Sequence, residues 1–189
     1  MDIHEVLAGR RSIRRYQDTE VPDEHLQAVL EAVRWTPSGG NIQPWEVIVV
    51  RDPATKELLQ ETLGGYNPAR KAVVASPLLL VLCARESIPD TYKKDKDIST
   101  KYGDWWFLFH LGSAAQSLAL AAHALGLATV MVGYFDHDRV KEILEVPDGY
   151  EVVLMTPLGY PDKVPKAPPR RPVLEFTHSE RFSREEDTR

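Results

Sequence analysis

Residues 105–135, WWFLFHLGSAAQSLALAAHALGLATVMVGYF, contain no Asp, Glu, Lys or Arg. Because a membrane span needs only about 20 apolar residues, this stretch must first be weighed as a transmembrane helix. His110, Gln116 and His123 place polar groups inside it, and Gly126 interrupts the helical pattern. A bilayer would penalise those polar groups, so a helix packed within a protein is the better interpretation.

The same stretch predicts a helix followed by a strand. The helix is expected from about Asp104 to Leu125, and the Thr- and Val-rich residues Leu127–Val132 are typical of a strand. The alanines and glycine of Leu111–Ala115 permit close contact with another helix or subunit. We therefore expect a central helix that is buried in the core or lies at a dimer interface.

Outward from this centre, helices and strands alternate irregularly. The apolar spacing predicts further helices around Ile3–Leu7, closed by a left-handed cap at Gly9, and over Leu26–Val33, Ala54–Leu63 and Asp138–Leu144. It predicts strands over Trp45–Arg51, Leu78–Cys83 and Val152–Leu158. Since there are too few βαβ units for a doubly wound sheet, the predicted fold class is α+β, built around the central helix.

Two segments are expected at the surface of this single domain of residues 1–189. Residues 85–104 are polar and of mixed charge, which predicts a surface excursion. Residues 161–189 begin with the proline-rich sequence PDKVPKAPPRRP, which predicts an extended C-terminal arm that wraps over a surface. Within the arm, Val173–Phe176 could add an edge strand.

Composition limits the classes of function. The chain has 189 residues, of which 43% are hydrophobic, enough for one domain with a full core. Its net charge of -5 excludes a global basic field that would hold nucleic acid, so any anion site must be local. The single cysteine, Cys83, excludes a disulfide framework and a multi-cysteine metal site. With no secretory signal visible, we expect a cytoplasmic protein without metal, nucleic-acid or membrane partners.

The first cluster that could carry chemistry is the run Arg10-Arg11-Ser12-Ile13-Arg14-Arg15, just past the first predicted helix. Arginine guanidiniums bind phosphate oxygens in a bidentate manner, and a serine hydroxyl adds a donor. Basic residues near a helix C-terminus also simply complement the helix dipole. The run by itself therefore leaves phosphate binding and dipole compensation open.

Two further segments carry glycines where a planar ligand would need close approach to the backbone. The loop Pro37–Trp45, PSGGNIQPW, adds hydrogen-bonding groups at Ser38, Asn41 and Gln43. The segment Val132–Asp136, VGYFD, places a glycine at the end of an apolar strand, and Asp136 or Asp138 can cap the next helix. Ordinary turns contain the same residues, so a purely structural role stays open for both segments.

A fourth candidate is the pair Arg170-Arg171 in the proline-rich arm. A stiff backbone would hold these guanidiniums ready for a phosphate at little entropic cost, although a solvated linker has the same composition. Motifs of other enzyme classes are missing from the sequence, including GxGxxG, the P-loop, HExxH, GxSxG and spaced Cys/His sets. A cofactor with its own reactivity remains possible, and we assign no catalytic side chain beyond it.

Taken in order, these segments resemble the nitroreductase family of FMN-dependent oxidoreductases. The resemblance is carried by RRSIRRY (10–16), PSGGNIQPW (37–45), AAQSLALAAHALGLAT (114–129), VGYFD (132–136) and LGYP followed by PRRP (158–161, 169–172), and it spans nearly the whole chain. The resemblance implies an α+β homodimer with a central mixed or antiparallel sheet. It also implies an FMN at each subunit interface and a C-terminal arm that crosses to the partner subunit.

The resemblance also implies which residues contact FMN. Arg10, Ser12 and Arg14 would hold the ribityl chain and phosphate, and Arg11 would touch the ring edge or the ribityl hydroxyls. Ser38 and Asn41 would come from the partner subunit, Pro37 and Gln43 of the same loop would also contact the cofactor, and the backbone of Val132 and Gly133 would lie near flavin N5. The family's terminal clamp has a Lys and an Arg two residues apart, and this chain departs from that pattern, so either Arg170 or Arg171 could complete the phosphate site.

The reaction implied is ping-pong electron transfer. NADH or NADPH would reduce the flavin, and an acceptor such as a nitroaromatic or a quinone would then take the electrons. From position alone, Trp105 and Trp106, behind the polar excursion, are candidates to face the acceptor. Reductive dehalogenation, flavin-dependent dehydrogenation and non-catalytic nucleotide binding are the alternatives that the motifs leave open.

Overall fold

The computed structural model describes residues 2–85 and 105–182. In those ranges the helices are α1 (Ile3–Gly9), α2 (Asp23–Arg34), α3 (Pro53–Glu61), α4 (Arg70–Ala75), α5 (Trp106–Ala124) and α6 (His137–Ile143). The strands are β1 (Trp45–Val50), β2 (Leu78–Arg85), β3 (Ala128–Thr129) and β4 (Tyr150–Gly159). The predicted α+β class is confirmed.

The described strands form one antiparallel sheet in the order β1-β2-β4-β3. The central strand β2 is buried along its whole length except at Arg85. Its alternate side chains enter two different cores, because successive residues of a strand point to opposite faces. Leu80 and Leu82 pack with α2 and α5, whereas Leu79 and Val81 pack with α3, α4 and α6. A continuous apolar run in this strand therefore reflects helices on both sides of the sheet.

Helix α5 is the central helix, but its own chain covers only one face. Leu111, Ala115 and Leu118 are buried against the sheet and α2. Trp105 and Phe109, on the opposite side, are 67% and 60% exposed. Of the two expected environments, the core is therefore confirmed for one face of α5. In the described part of the chain, no helix is both long and apolar enough to cross a bilayer.

The segment after α1 is attached to the sheet edge at β3. Ser12 forms an isolated parallel bridge with Thr129, and the backbone N–H of Ile13 donates to the Thr129 carbonyl over 2.9 Å. The Tyr16 hydroxyl donates to the Ile13 carbonyl at 2.9 Å and lies 3.3 Å from the Pro157 carbonyl. These contacts hold the arginine run of residues 10–15 beside the residues that follow β3.

Three sequence predictions are wrong in detail. Gly9 does not form a left-handed cap: it is the last residue of α1, and Arg10 follows it with an ordinary φ of -57°. Val173–Phe176 does not form an edge strand, because Val173–Glu175 is a short 3-10 helix with exposed side chains. Arg85 is not the start of a surface excursion but the last residue of β2, paired with Tyr150. The rest of the excursion lies outside the described residues.

Two other elements differ from the sequence patterns. The strand expected over Leu127–Val132 is continuous only at Ala128–Thr129, and Val132 meets β4 again at an isolated bridge to Met155. Helix α4 has only six residues, RKAVVA, too few for an amphipathic repeat to reveal it. The predicted cap on α6 is confirmed, since the Asp136 carboxylate accepts from the Arg139 N–H at 3.0 Å.

Candidate functional site

A cleft of about 530 Å³ opens between two loops at one edge of the sheet. One wall is the loop of residues 64–69 between α3 and α4. The other is the segment Val130–Tyr134 that follows β3, and Arg14 reaches the cleft from the N-terminal segment. The structure therefore brings Arg14, Val132 and Gly133, three of the predicted cofactor residues, to one place.

The two loops are joined by hydrogen bonds. The Asn67 side-chain amide donates to the Tyr134 carbonyl at 2.9 Å, and its oxygen accepts from the Ala69 N–H at 2.9 Å. A second bridge runs from the Asp136 N–H to the Thr62 carbonyl, also at 2.9 Å. Buried residues of the α3, α4 and α6 side of the sheet lie beneath the cleft, so its walls stand on the core.

Two features of the cleft leave groups available for a ligand. The Arg14 guanidinium is exposed and forms no hydrogen bond or ion pair with any described residue. At Gly133 an added Cβ would meet no atom within 4 Å, so packing inside this chain does not require a glycine there. A free cation and an uncovered stretch of backbone therefore face the same space.

A smaller cavity of about 220 Å³ lies at the other end of the arginine run. Arg10, Arg11 and His123 line it, together with backbone of residues 126–129 and the start of the arm. Arg11 Nη1 donates to the carbonyls of Ala8 at 2.6 Å and Arg10 at 2.7 Å, so dipole compensation at the end of α1 is confirmed for this residue. Arg10 forms no ion pair with the described part of the chain.

Burial lowers the pKa of His123, and the positive charges of Arg10 and Arg11 lower it further. Its ring is packed closely: a Cβ built on Gly9 would lie 2.5 Å from His123 Nε2. Any side chain at position 9 would therefore require the His123 ring to move. Ser12 pairs with β3 between the two cavities, so the run from Arg10 to Arg14 connects them.

The loop with Pro37, Ser38, Asn41 and Gln43 lines neither cavity. The Ser38 hydroxyl accepts from the Gln43 N–H at 3.0 Å, which closes the loop on itself. Asn41 and Gln43 adopt left-handed φ values of 57° and 43°, a strained conformation for residues other than glycine. Within one chain this loop is a self-contained element that presents polar groups to the outside.

Arg170 and Arg171 lie in the arm, whose residues from Asp162 to Phe182 are exposed. Arg170 Nη1 donates to the carbonyls of Pro168 and Pro169, and the Arg171 guanidinium lies 5.7 Å from the Phe176 ring centroid. Trp105 precedes α5, and Trp106 stacks on Phe109 with ring centroids 5.0 Å apart. None of these four predicted residues reaches either cavity in the single chain.

Sequence patterns missed the loop residues Tyr66 and Asn67, as well as His123 and the side chain of Tyr134. The dipeptide Asn67-Pro68 marks only a turn, and nothing local indicates that it meets the chain near Tyr134. Tyr66 and Tyr134 are 104% and 81% exposed at the cleft. Among the described residues no group of three or more His, Cys, Asp or Glu is placed to hold a metal ion.

Residues 7–160 match the model of the nitroreductase family. The chain belongs to the nitroreductase family. A protein of Thermus thermophilus named "NADH dehydrogenase" is 32% identical, over 85% of this chain and 87% of its own. A Bacillus subtilis protein named "FMN reductase [NAD(P)H]" is 29% identical, and the match covers 96% of this chain and 74% of the Bacillus chain.

Solved structures agree with this assignment. The structure described as the NADPH:FMN oxidoreductase from Vibrio harveyi complexed with NAD+ superposes with a TM-score of 0.81 at 25% identity. It covers 96% of this chain and 78% of the other. The fold of this nitroreductase-family chain is therefore the nitroreductase fold, and the chain is an oxidoreductase.

Proposed function

We propose that this nitroreductase-family protein is an FMN-dependent enzyme. It uses NADH or NADPH to reduce nitroaromatic, quinone or similar small-molecule acceptors by a ping-pong mechanism. The observation that carries the proposal is the meeting of the Arg14 guanidinium and the open Gly133 backbone in one cleft, with Arg10 and Arg11 at the adjoining cavity. Cations for a phosphate thus lie along the segment of residues 10–14, and an uncovered backbone for a planar ring lies beside one end of it.

The residues present fit FMN. The phosphate needs cationic donors, and Arg10 and Arg14 have no carboxylate partner in the described part of the chain. The ring needs uncovered backbone beside an open cleft, which Gly133 provides. A chain with a net charge of -5 gains this anion site only through local clustering of arginines.

Each group then has a defined task. Arg10, Ser12 and Arg14 would bind the phosphate and ribityl chain, with Arg11 at the ring edge or ribityl hydroxyls. The backbone of Val132 and Gly133 would orient the ring, and the Gly133 N–H would be the donor to it, since the Val132 N–H donates to the Met155 carbonyl. Bound FMN supplies the hydride and electron transfer between NAD(P)H and the acceptor, which no side chain of the cleft provides.

We propose that the enzyme is a homodimer, because the single chain leaves two groups of predicted residues unused. Pro37, Ser38, Asn41 and Gln43 would reach the cofactor from the partner subunit, and Arg170 or Arg171 would complete a phosphate clamp through the arm. The exposed arm supports this proposal, because its own chain does not cover it.

Exposed apolar groups on α1 and α5 support the same assembly. Ile3 and Leu7 are 60% and 53% exposed, and Trp105 and Phe109 stand on the uncovered side of α5. Gly112 lies on that side too, and an added Cβ would meet nothing within 4 Å in the chain. A helix-interior glycine destabilises a helix by about 1 kcal/mol relative to alanine, so close approach of a second helix would account for it. A cytoplasmic location is proposed with it, since the buried thiol of Cys83 suits a reducing compartment.

The spectrum of the purified protein tests the proposal. We expect flavin absorbance, release of FMN on denaturation, and rapid bleaching by NADH or NADPH that an acceptor reverses. Steady-state rates with varied NAD(P)H and acceptor should give parallel double-reciprocal lines. A protein that stays colourless when supplied with FMN would contradict the proposal. If only a substrate other than NAD(P)H bleaches the flavin, a dehydrogenase is favoured. Turnover of halogenated aromatics would favour a dehalogenase. A bound flavin that no donor bleaches would favour a non-catalytic binding protein.

A further inference from the structure

His123 is a titratable side chain to which the proposed function assigns no task. It lies in the last turn of α5 and lines the smaller cavity with Arg10 and Arg11. Its ring forms no hydrogen bond or ion pair with the residues that the structure describes. Two neighbouring arginines disfavour protonation of a histidine. No partner within the chain therefore accounts for a histidine at this position.

The ring is held in place by packing. Its Nε2 atom lies where only a glycine at position 9 leaves room, since a Cβ there would come within 2.5 Å. Arg10 follows Gly9 directly, so the ring is located where the arginine run leaves α1. The imidazole therefore lies directly beside the start of the arginine run.

The charges around the ring are predominantly positive. Helix α5 carries no Asp, Glu, Lys or Arg, and β3 has no titratable residue. On α1, Asp2 and Glu5 are joined in a capping box at the opposite end of the helix. On α2, Asp23 pairs with Arg51, and Glu24 is exposed. His25, also on α2, contacts the Tyr160 hydroxyl. The arm adds one charge of each sign, Asp162 and Lys163, between the lining residues Pro161 and Val164. Burial lowers the pKa of His123 most, and the charges that act on it, those of Arg10 and Arg11, lower it further.

The arginine run connects the two cavities, so a long ligand that binds along it has a defined orientation. Arg14 lines the larger cleft beside Gly133, and Arg10 lines the smaller cavity. The four steps between them span at most about 14 Å. If the ring of FMN lies against Gly133, as in the proposed function, its phosphate extends along the run toward Arg10 and His123.

We propose that His123 is a further, proton-coupled cation for the FMN phosphate, taking up one proton from solvent when the phosphate binds at Arg10 and releasing it when the phosphate leaves. This proposal rests on the proposed function. An anion in the cavity would favour the imidazolium and offset the repulsion from the arginines. Since the bound state then holds more protons than the free state, affinity for FMN rises as pH falls through the range in which His123 titrates.

The test compares the full-length wild type with His123→Gln, both freed of flavin and titrated with FMN by calorimetry between about pH 6 and pH 8. The phosphate of FMN itself ionises near pH 6, but this contribution is the same for both proteins. The ratio of the two dissociation constants therefore isolates His123. We expect the wild-type advantage to grow about tenfold from the highest to the lowest pH, the factor that corresponds to one pKa unit.

Three controls make the result specific. Titration of the wild type in two phosphate-free buffers of different ionisation enthalpy should report proton uptake, which needs no variant to fold. Riboflavin, which lacks the phosphate, should bind wild type and His123→Gln with a ratio that does not change with pH. His123→Lys should bind FMN tightly with the pH dependence of the phosphate alone, because its charge does not titrate in this range.

A constant ratio at every pH, with no proton uptake by the wild type, would overturn the role of His123 and leave the proposed function intact. Failure of both proteins to bind FMN at any pH would overturn the proposed function, and the role of His123 with it.

Discussion

The backbone N–H of Ile13 donates to the carbonyl of Thr129 over 2.9 Å, and this one contact joins the arginine run to the end of β3. Because the two segments run parallel there, Arg14 follows Ile13 on one side just as Val130 follows Thr129 on the other. The cation and the backbone of the cleft are therefore placed together by a sheet-edge contact. Residues more than 100 positions apart in the sequence therefore line one cleft.

Arg14→Ala should weaken FMN binding. A hydrogen bond to a charged group contributes about 1.5 to 3 kcal/mol, so the dissociation constant should rise roughly 10- to 100-fold. Fluorescence titration of the flavin-free protein measures it. Arg15→Ala is the matched control, because the exposed Arg15 does not line the cleft and contributes its carbonyl to the Asp162 N–H. An unchanged constant for Arg14→Ala would remove this residue from the site.

Gly112→Trp should dissociate the proposed dimer while leaving each chain folded, since Gly112 is exposed and a Cβ built there meets no atom of the single chain within 4 Å. Light scattering coupled to size-exclusion chromatography measures the mass, and circular dichroism the helix content. Gly112→Ala serves as the control. It should raise helix stability by about 1 kcal/mol. The dimer should persist in this variant if the interface leaves room for a methyl group. A fully dimeric Gly112→Trp protein would place the interface elsewhere.

Tyr16→Phe should lower the free energy of unfolding by about 1 kcal/mol, the usual net contribution of one hydrogen bond. The lost donor is the hydroxyl that holds the Ile13 carbonyl at 2.9 Å. Urea denaturation at neutral pH measures the difference. Equal stabilities would mean that the packed ring alone anchors the arginine run.

The same variant has a second consequence at alkaline pH. Burial raises the pKa of Tyr16 above its ordinary value of 10.0, and the nearby Arg14 offsets only part of the shift. Above about pH 10 the unfolded chain releases this phenol proton while the folded chain retains it, so stability is lost as pH rises. The wild type should therefore lose part of its advantage over Tyr16→Phe there, and an advantage that grows with pH would contradict the assignment.

Cys83 should be unreactive in the folded protein. Burial in β2, followed by the carboxylates of Glu46 and Glu151, raises the pKa of its thiol to about 11, so almost no thiolate exists at pH 8. Titration with a chromogenic disulfide should detect no fast-reacting thiol in buffer and one in urea. Rapid reaction of the native protein would show that β2 opens or that the thiol lies at the surface.

Local sequence patterns determined the elements and the candidate groups. The uncharged run of residues 105–135 predicted the central helix, since apolar periodicity and length are local properties. The continuous apolar run predicted β2, and the helical spacing of apolar residues predicted α2. The resemblance to the family was already visible in the sequence, because five segments that are weak signals alone are specific when they occur in this order and spacing.

The tertiary structure alone decided which of those groups meet. Nothing local shows that Asn67 hydrogen-bonds near Tyr134, that Arg11 turns back to the end of α1 while Arg14 remains free, or that Gly9 makes room for His123. Short pieces such as α4 and β3 were missed or overextended because their lengths are set by packing against distant residues. Propensity and periodicity act over a few residues, whereas strand pairing and side-chain packing join residues far apart in the chain, and the site is made of the latter.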